Sequence, residues 1–291
     1  MPWWQKFNSL VVMSKLADIN CFWFGGPLGE VDQVCLLSML KQGHKVRLFS
    51  YETVANAPQG IELEDAREAL PRDEFIFYRA SGSPALGANK FRYRLMKKGL
   101  GLWLDTDIIL INPMIQDDEY IFGWESDGVI NNAVLYLPSN AKITEEICNF
   151  VDQKYPIPPF FVPTVRAELE RRAALGSPVD IQDFPWGSYG PGALTYFVRK
   201  NNLADFAKAR EVFYPLHWSE AHALLIAGYD FRRLITGPTD STIAIHLWNS
   251  ALRNPSKIRP HNPVGKLIVE KDCFVEKFAR EQIGFRMKDI S

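Results

Sequence analysis

The 291-residue sequence predicts an α/β fold, with a mainly parallel central sheet flanked by helices. Two observations predict it. Residues 20–24 form a short apolar run closed by Gly25-Gly26-Pro27. Residues 28–42 then carry Val31, Val34, Leu37 and Leu40 at helical spacing and stop at Gly43, and 45–50 read as a second strand. A strand, a helix and a strand in that order form a βαβ unit, whose right-handed crossover leaves its strands parallel. A second helix-then-strand pair follows at 88–99 and 101–107.

The remaining elements follow in chain order. Residues 65–70 read as a loop. Segment 88–99 sets Phe91, Leu95 and Met96 on one helical face, and Gly99 and Gly101 supply its stop. Runs at 120–124 and 129–137 read as further strands, the second closed by Pro138-Ser139-Asn140. Helices at 142–153 and 165–175 are divided by proline-rich 156–159. Gly190-Pro191-Gly192 opens another helix, with Pro191 suited to its first turn. After 212–215 the chain turns irregular until the apolar run 243–249. With no internal repeat and no low-complexity linker, the whole chain 1–291 is expected to form one domain.

Composition excludes several classes. A net charge of −1 provides no basic field, so a nucleic-acid partner is not expected. Cys21, Cys35, Cys148 and Cys273 show neither a CxxC pair nor metal spacing, as expected for reduced, buried thiols in a cytoplasmic protein. No uncharged apolar run is long enough to span a bilayer. Trp3 and Trp4 raise the alternative of a peripheral contact at the inner membrane face; packing of that segment on the domain is favoured.

The most informative stretch is Gly101-Leu-Trp-Leu-Asp105-Thr-Asp107-Ile-Ile-Leu-Ile-Asn-Pro113. Here an apolar strand runs into two carboxylates spaced i, i+2, which project to the same face. Adjacent buried charges repel and lose hydration, so they persist only where a cation or strong donors neutralise them. Hard oxygen ligands suit Mg²⁺ or Mn²⁺, which usually complete their shells with water and substrate phosphates. Asp-x-Asp alone equally describes a turn at a strand end; the helix and glycine stop before it make the longer pattern specific. In open parallel sheets ligands gather outside the carboxyl ends of the strands, so 23–26 and 105–107 can face one crevice.

With these pieces assembled, the chain resembles the Asp-x-Asp "sugar-binding region" glycosyltransferases. That group includes α-1,4-galactosyltransferases and yeast-type mannosyltransferases, with clostridial toxin glucosyltransferase domains as distant relatives. The resemblance covers roughly residues 19 to 250. Phe22-Trp23-Phe24-Gly25-Gly26 is similar to the family's Trp-x-Gly first strand, and Arg92 precedes Asp105 by thirteen residues as its arginine does. Gly190-Pro191-Gly192-Ala193-Leu194-Thr195 resembles its Gly-Pro-x-x-Leu-Thr helix start, and His246-x-Trp248-Asn249 its closing element. The resemblance implies a GT-A-like nucleotide-sugar-binding fold: a donor core at 19–137, a helical acceptor-side part at 138–250 and a C-terminal tail at 251–291. It implies a retaining hexosyltransferase using Mn²⁺ (or Mg²⁺) and a nucleotide-sugar donor, with a glycan or glycolipid acceptor, as in polysaccharide biosynthesis. It further implies Asp107, Asp105 and His246 as metal ligands, with Asp105, Asp107 and Arg92 serving catalysis. Donor or sugar contacts fall to Trp23, Phe22, Asn89, Asn132, Gly190, Trp248 and Asn249.

The sequence departs from the family at Asn89, where an aspartate is usual, and at Leu100, which replaces a glycine. The amide keeps hydrogen-bonding capacity but loses the carboxylate's charge. Two rivals follow. A nucleotide-sugar-binding module without turnover is compatible with Asn89. An Asp-x-Asp phosphatase also begins its motif after a strand, but it wants Thr or Val where Ile109 stands. Asp127 and Asp183 are available carboxylates, yet neither lies in a nucleophile motif, so attack from the leaving-group side is the favoured route to retention.

Overall fold

The first strand, β1 (Ile19–Trp23), sends Ile19 and Cys21 to one face and Phe22 to the other, and all three are buried. Burial on both faces is expected of an inner strand in a parallel sheet. The computed structural model describes residues 15–228, 241–253, 267–288 and 290; Trp3 and Trp4 lie outside them. Helix α1 (Glu30–Lys41) returns the chain to β2 (Val46–Ser50), which pairs parallel with β1, Ile19 opposite Val46. Gly43, at φ +86°, supplies the left-handed residue after α1. A short strand not expected from the sequence, β3 (Glu62–Asp65), adds parallel to β2 just before the expected loop 65–70. It gave no sequence signal because only one of its four residues, Leu63, is apolar, and that one is exposed.

Helix α2 (Ala85–Lys97) starts right after Pro84, three residues before the apolar spacing becomes visible. It leads through Gly99 to Gly101, at φ +114°, where a Cβ would lie 2.8 Å from the Asp18 carbonyl oxygen. Only glycine fits that approach. Then β4 (Leu102–Leu104) pairs parallel with the other side of β1. The chain leaves the sheet at Asp105 and forms β5 (Ile108–Leu110), beyond the strand expected at 101–107 and not itself expected. β6 (Ile121–Ser126) and β7 (Val129–Tyr136) form an antiparallel hairpin, and β7 pairs antiparallel with β4. The resulting six-stranded sheet has the order β3-β2-β1-β4-β7-β6 and is mostly parallel, as expected.

Helices α3 (Lys142–Val151), α4 (Pro163–Ala174) and α5 (Ala193–Lys200) follow, with one-turn α6 (Arg210–Phe213). β8 (Ala244–His246) pairs antiparallel with β5 as a separate two-stranded ribbon, and α7 (Asn249–Leu252) comes two residues later. The expected helix at Gly190 begins instead at Ala193, because Gly190 itself has non-helical φ −94°, ψ −110°.

Two apolar cores cover the sheet. One joins β1, β2 and β4 to α1, the β5–β8 ribbon and α8 (Phe274–Phe278); the other joins the opposite face to α2, α3 and α5. Val269, Cys273, Val275 and Met287 belong to the first core, so the expected C-terminal tail contributes to packing. All four cysteines are free and buried, and among the described residues no helix is long and apolar enough to cross a membrane.

Candidate metal centre

The Asp105–Asp107 turn sits where two strand systems meet. The Asp105 amide donates to the Ala133 carbonyl of β7 (2.9 Å), and the Ile108 amide closes the turn onto the Asp105 carbonyl (3.2 Å). Beyond it, Ile108 pairs with His246 across β5–β8, and the Leu247 amide donates to the Asp107 carbonyl (2.9 Å). That ribbon therefore brings His246 beside an aspartate far away in sequence. Asp105, Asp107 and His246 each offer a ligand atom, all within 4.8 Å of one another.

Both carboxylates have cationic or polar partners, as their repulsion requires. Asp105 Oδ1 accepts from Arg92 Nη2 (2.9 Å) and from Trp103 Nε1 (2.6 Å). Asp107 Oδ1 faces His246 Nε2 (3.3 Å), and its Oδ2 accepts from the Asn249 amide (2.9 Å). The guanidinium of Arg92 also stacks 4.8 Å over the Trp103 ring. Burial raises the Asp105 pKa against the opposing pull of Arg92, and the charge of Asp107 adds to the rise. Burial would raise Asp107 too, but His246 and the Asn249 amide outweigh it and hold that carboxyl below its ordinary value. Burial would lower His246, yet the Asp107 charge and hydrogen bond reverse the sign and raise it.

Next to this group lies an amide cluster. Asn132 Nδ2 donates to Asn89 Oδ1 (2.9 Å) and to the Tyr93 hydroxyl (3.1 Å), and that hydroxyl donates to the Gly190 carbonyl (3.3 Å). Arg92 Nη1 donates to the Asn132 carbonyl (2.5 Å), linking the cluster to Asp105. A Cβ on Gly190 would fall 3.1 Å from Asn89 Oδ1 and 3.2 Å from Asn132 Oδ1, so the absent side chain makes room for both amides. Asn89, Asn132 and Arg92 are buried.

The closing segment is tightly fixed. Trp248 adopts the left-handed conformation (φ +58°), rare for a bulky residue. Its ring lies 4.0 Å from that of His246, and its Nε1 donates to the Leu216 carbonyl (3.2 Å). Asn249 Nδ2 donates to Asp32 Oδ1 (2.9 Å), and Arg253 holds Asp32 Oδ2 (3.1 Å). Burial pushes the Asp32 carboxyl up to about 6, against the pull of Arg253.

At the end of β1, Trp23 is half-buried and donates its Nε1 to the Gly26 carbonyl (3.1 Å). Phe22 lies in the core, its ring 4.6 Å from Phe91 and 5.4 Å from Phe75. The residues brought together are thus Asp105, Asp107, His246, Arg92 and Asn249 in one group, with Asn89, Asn132 and Gly190 in the adjoining one. Of the two carboxylates considered as nucleophiles, Asp183 pairs with Arg79, and Asp127 is exposed at the β6–β7 turn. The sequence reading missed Asp32, Tyr93, Trp103 and Asn131. Only Asp32 left a signal: it occupies the spacing of the buried stripe Cys35, Leu36 and Met39, where a charge is out of place.

The donor set fits a divalent cation. An ionised carboxylate offers about four acceptor positions, so the contacts above leave capacity on each. The carboxylates remain 25% and 14% exposed, which leaves a path to solvent. Among the described residues the buried His246 Nδ1 has no hydrogen-bond partner, so within them the ring retains an uncommitted nitrogen. No known family model matches the chain, and a search of curated proteins finds no match.

Proposed function

We propose that this protein is a metal-dependent, retaining glycosyltransferase with a GT-A-like fold, moving a hexose from a nucleotide-diphosphate sugar to a glycan or glycolipid. The observation that carries the reading is the convergence of Asp105, Asp107 and His246 beside Arg92 at the carboxyl end of β4. Two carboxylates and an imidazole would hold Mn²⁺ or Mg²⁺, with the nitrogen ligand favouring Mn²⁺. Such a cation supplies Lewis-acid stabilisation of a departing diphosphate.

The chain's own residues supply the remainder. Arg92 brings a fixed guanidinium to the same spot and adds positive potential toward the phosphates. Asn89 and Asn132 offer amides that read sugar hydroxyls, and Trp23, at the end of β1, offers a face for the base. With no carboxylate marked as a nucleophile, the acceptor hydroxyl attacks from the leaving-group side and its proton passes to the departing diphosphate oxygen.

The test is nucleoside diphosphate release from a panel of UDP- and GDP-sugars, with Mn²⁺ and with a chelator. Metal-dependent release is expected. Inorganic phosphate from phosphomonoesters, with no nucleotide product, would replace this reading by a phosphatase; donor binding without turnover would leave a binding module.

A further inference from the structure

A cavity of about 770 Å³, lined by Trp124, Ser126, Asp127, Gly128, Arg199 and Arg210, opens at the β6–β7 turn. Its position follows from the sheet. β6 and β4 are both antiparallel to β7, so β6 ends at the same edge as Asp105. Trp124 pairs with Ile130, three residues along β7 from Ala133, whose carbonyl accepts the Asp105 amide. The offset is roughly 10 Å along β7 and, because β4 and β6 flank β7, roughly 10 Å across it, so about 14 Å in all, the scale of a short oligosaccharide. The contacts between are continuous. Glu125 Oε2 accepts from Asn131 Nδ2 (2.7 Å), and Asn131 Oδ1 accepts from the Ala133 amide (2.7 Å). On the other flank, Arg210 Nε donates to the Tyr214 carbonyl (3.3 Å), and the Tyr214 ring lies 5.9 Å from His246.

The lining has a distinct chemistry. Half-buried Trp124 presents an aromatic surface, and Ser126 a hydroxyl. Two guanidiniums face a single carboxylate, so the lining carries a net positive charge. Among the described residues neither arginine has an ion-pair partner, and both donate to backbone carbonyls instead; Arg199 Nη2 reaches Gly128 (2.9 Å). A carbonyl takes up a donor without neutralising the charge, which leaves each guanidinium able to grip an anion in a two-pronged fashion. A neutral sugar needs no such pair.

We infer that this cavity is the acceptor subsite, and that it takes a sugar bearing an anionic group, a carboxylate or a phosphate ester. The inference rests on the transferase reading for the word acceptor, but the anion preference is a property of the cavity itself. Trp124 carries the sugar's apolar face, the arginines hold its anion, and the free hydroxyl end is directed along β7 toward Asp105.

Ligand-observed NMR with glucuronate, glucose 6-phosphate and methyl glucoside tests it on the full chain. The two anions should bind, and methyl glucoside should bind at least about tenfold more weakly, since a hydrogen bond to a charged group is worth more than a factor of ten. The ranking of the two anions names the source of the charge. Arg199→Gln, at an exposed position, should weaken both anions by about tenfold. Asp127→Asn should tighten them, a gain that misfolding cannot produce. Equal binding of methyl glucoside, or anion binding indifferent to both substitutions, would overturn the inference. Hydrolysis of a nucleotide-sugar donor by water with Mn²⁺ needs no acceptor. Its failure would sink the transferase reading while leaving the anion measurements to stand on their own.

Discussion

Asp107 and His246 form a pair whose charge state decides whether a cation can bind. The raised His246 pKa means that the metal-free protein holds a proton there above the ordinary value of 6.5. A ligating imidazole must be neutral, so cation binding below that raised pKa expels the proton. Mn²⁺ affinity should therefore climb with pH and level off above it. Calorimetry in two buffers of different ionisation enthalpy should reveal about one proton released in the sloping range, and none in a His246→Asn variant. The sign for stability runs the other way. The contribution of His246 is complete below its unfolded value and lost as pH rises through the folded one. That of Asp107 is present above 3.8 and lost as pH falls through its depressed folded value. Asp105, raised by burial, partly offsets the pair as pH rises above 3.8. At position 89 the amide accepts from Asn132. In Asn89→Asp a carboxylate would keep that acceptor and lose a donor, so the ranking of nucleotide-sugar donors should change. A single common factor across the donor panel would remove position 89 from sugar reading.

At the scale of elements, the β5–β8 ribbon decides where the histidine goes. Ile245 is fully buried beside His246, and Ile109 faces it across the ribbon. Ile245→Ala should destabilise by about 2–5 kcal/mol and weaken Mn²⁺ binding as well, because the ribbon sets the Asp107–His246 spacing. Leu48→Ala, equally buried in β2, should cost a similar stability and leave Mn²⁺ affinity unchanged. Equal Mn²⁺ affinities in the two variants would show that the ribbon does not position the site. This element also marks the limit of what the sequence discloses. β1, α1, β2 and the β6–β7 hairpin have long apolar patterns and were legible to within a few residues. β5 and β8 have three residues each, too short for a period, and their partners are more than a hundred positions apart. Asp105 and Asp107 could be singled out from their crowding alone. Asn89, Asn132 and Gly190 were named only through the family resemblance, because nothing in their local pattern marks them and their contacts arise only where α2, β7 and the Gly190 turn meet.

For the whole molecule, the site lies where the central sheet and the ribbon join, so an ion held there should report on global stability. Asp105 follows β4 of the sheet, while Asp107 and His246 flank the ribbon, and the first core runs through both. A ligand present at a hundred times its dissociation constant adds about 2.7 kcal/mol to the folded state. Proteins somewhat smaller than this one shift by about 2–4 °C per kcal/mol, so saturating Mn²⁺ should raise Tm by roughly 5 °C. Asp107→Asn should abolish that rise. Its own metal-free Tm should fall modestly, since the amide still accepts from the Asn249 backbone but no longer carries the charge facing His246. Thermal melts of both proteins, with Mn²⁺ and with chelator, separate these effects. A Mn²⁺ shift that survives in Asp107→Asn would place the cation elsewhere. A metal-free variant more stable than its parent would mean that repulsion between Asp105 and Asp107 outweighs the support of Arg92 and His246.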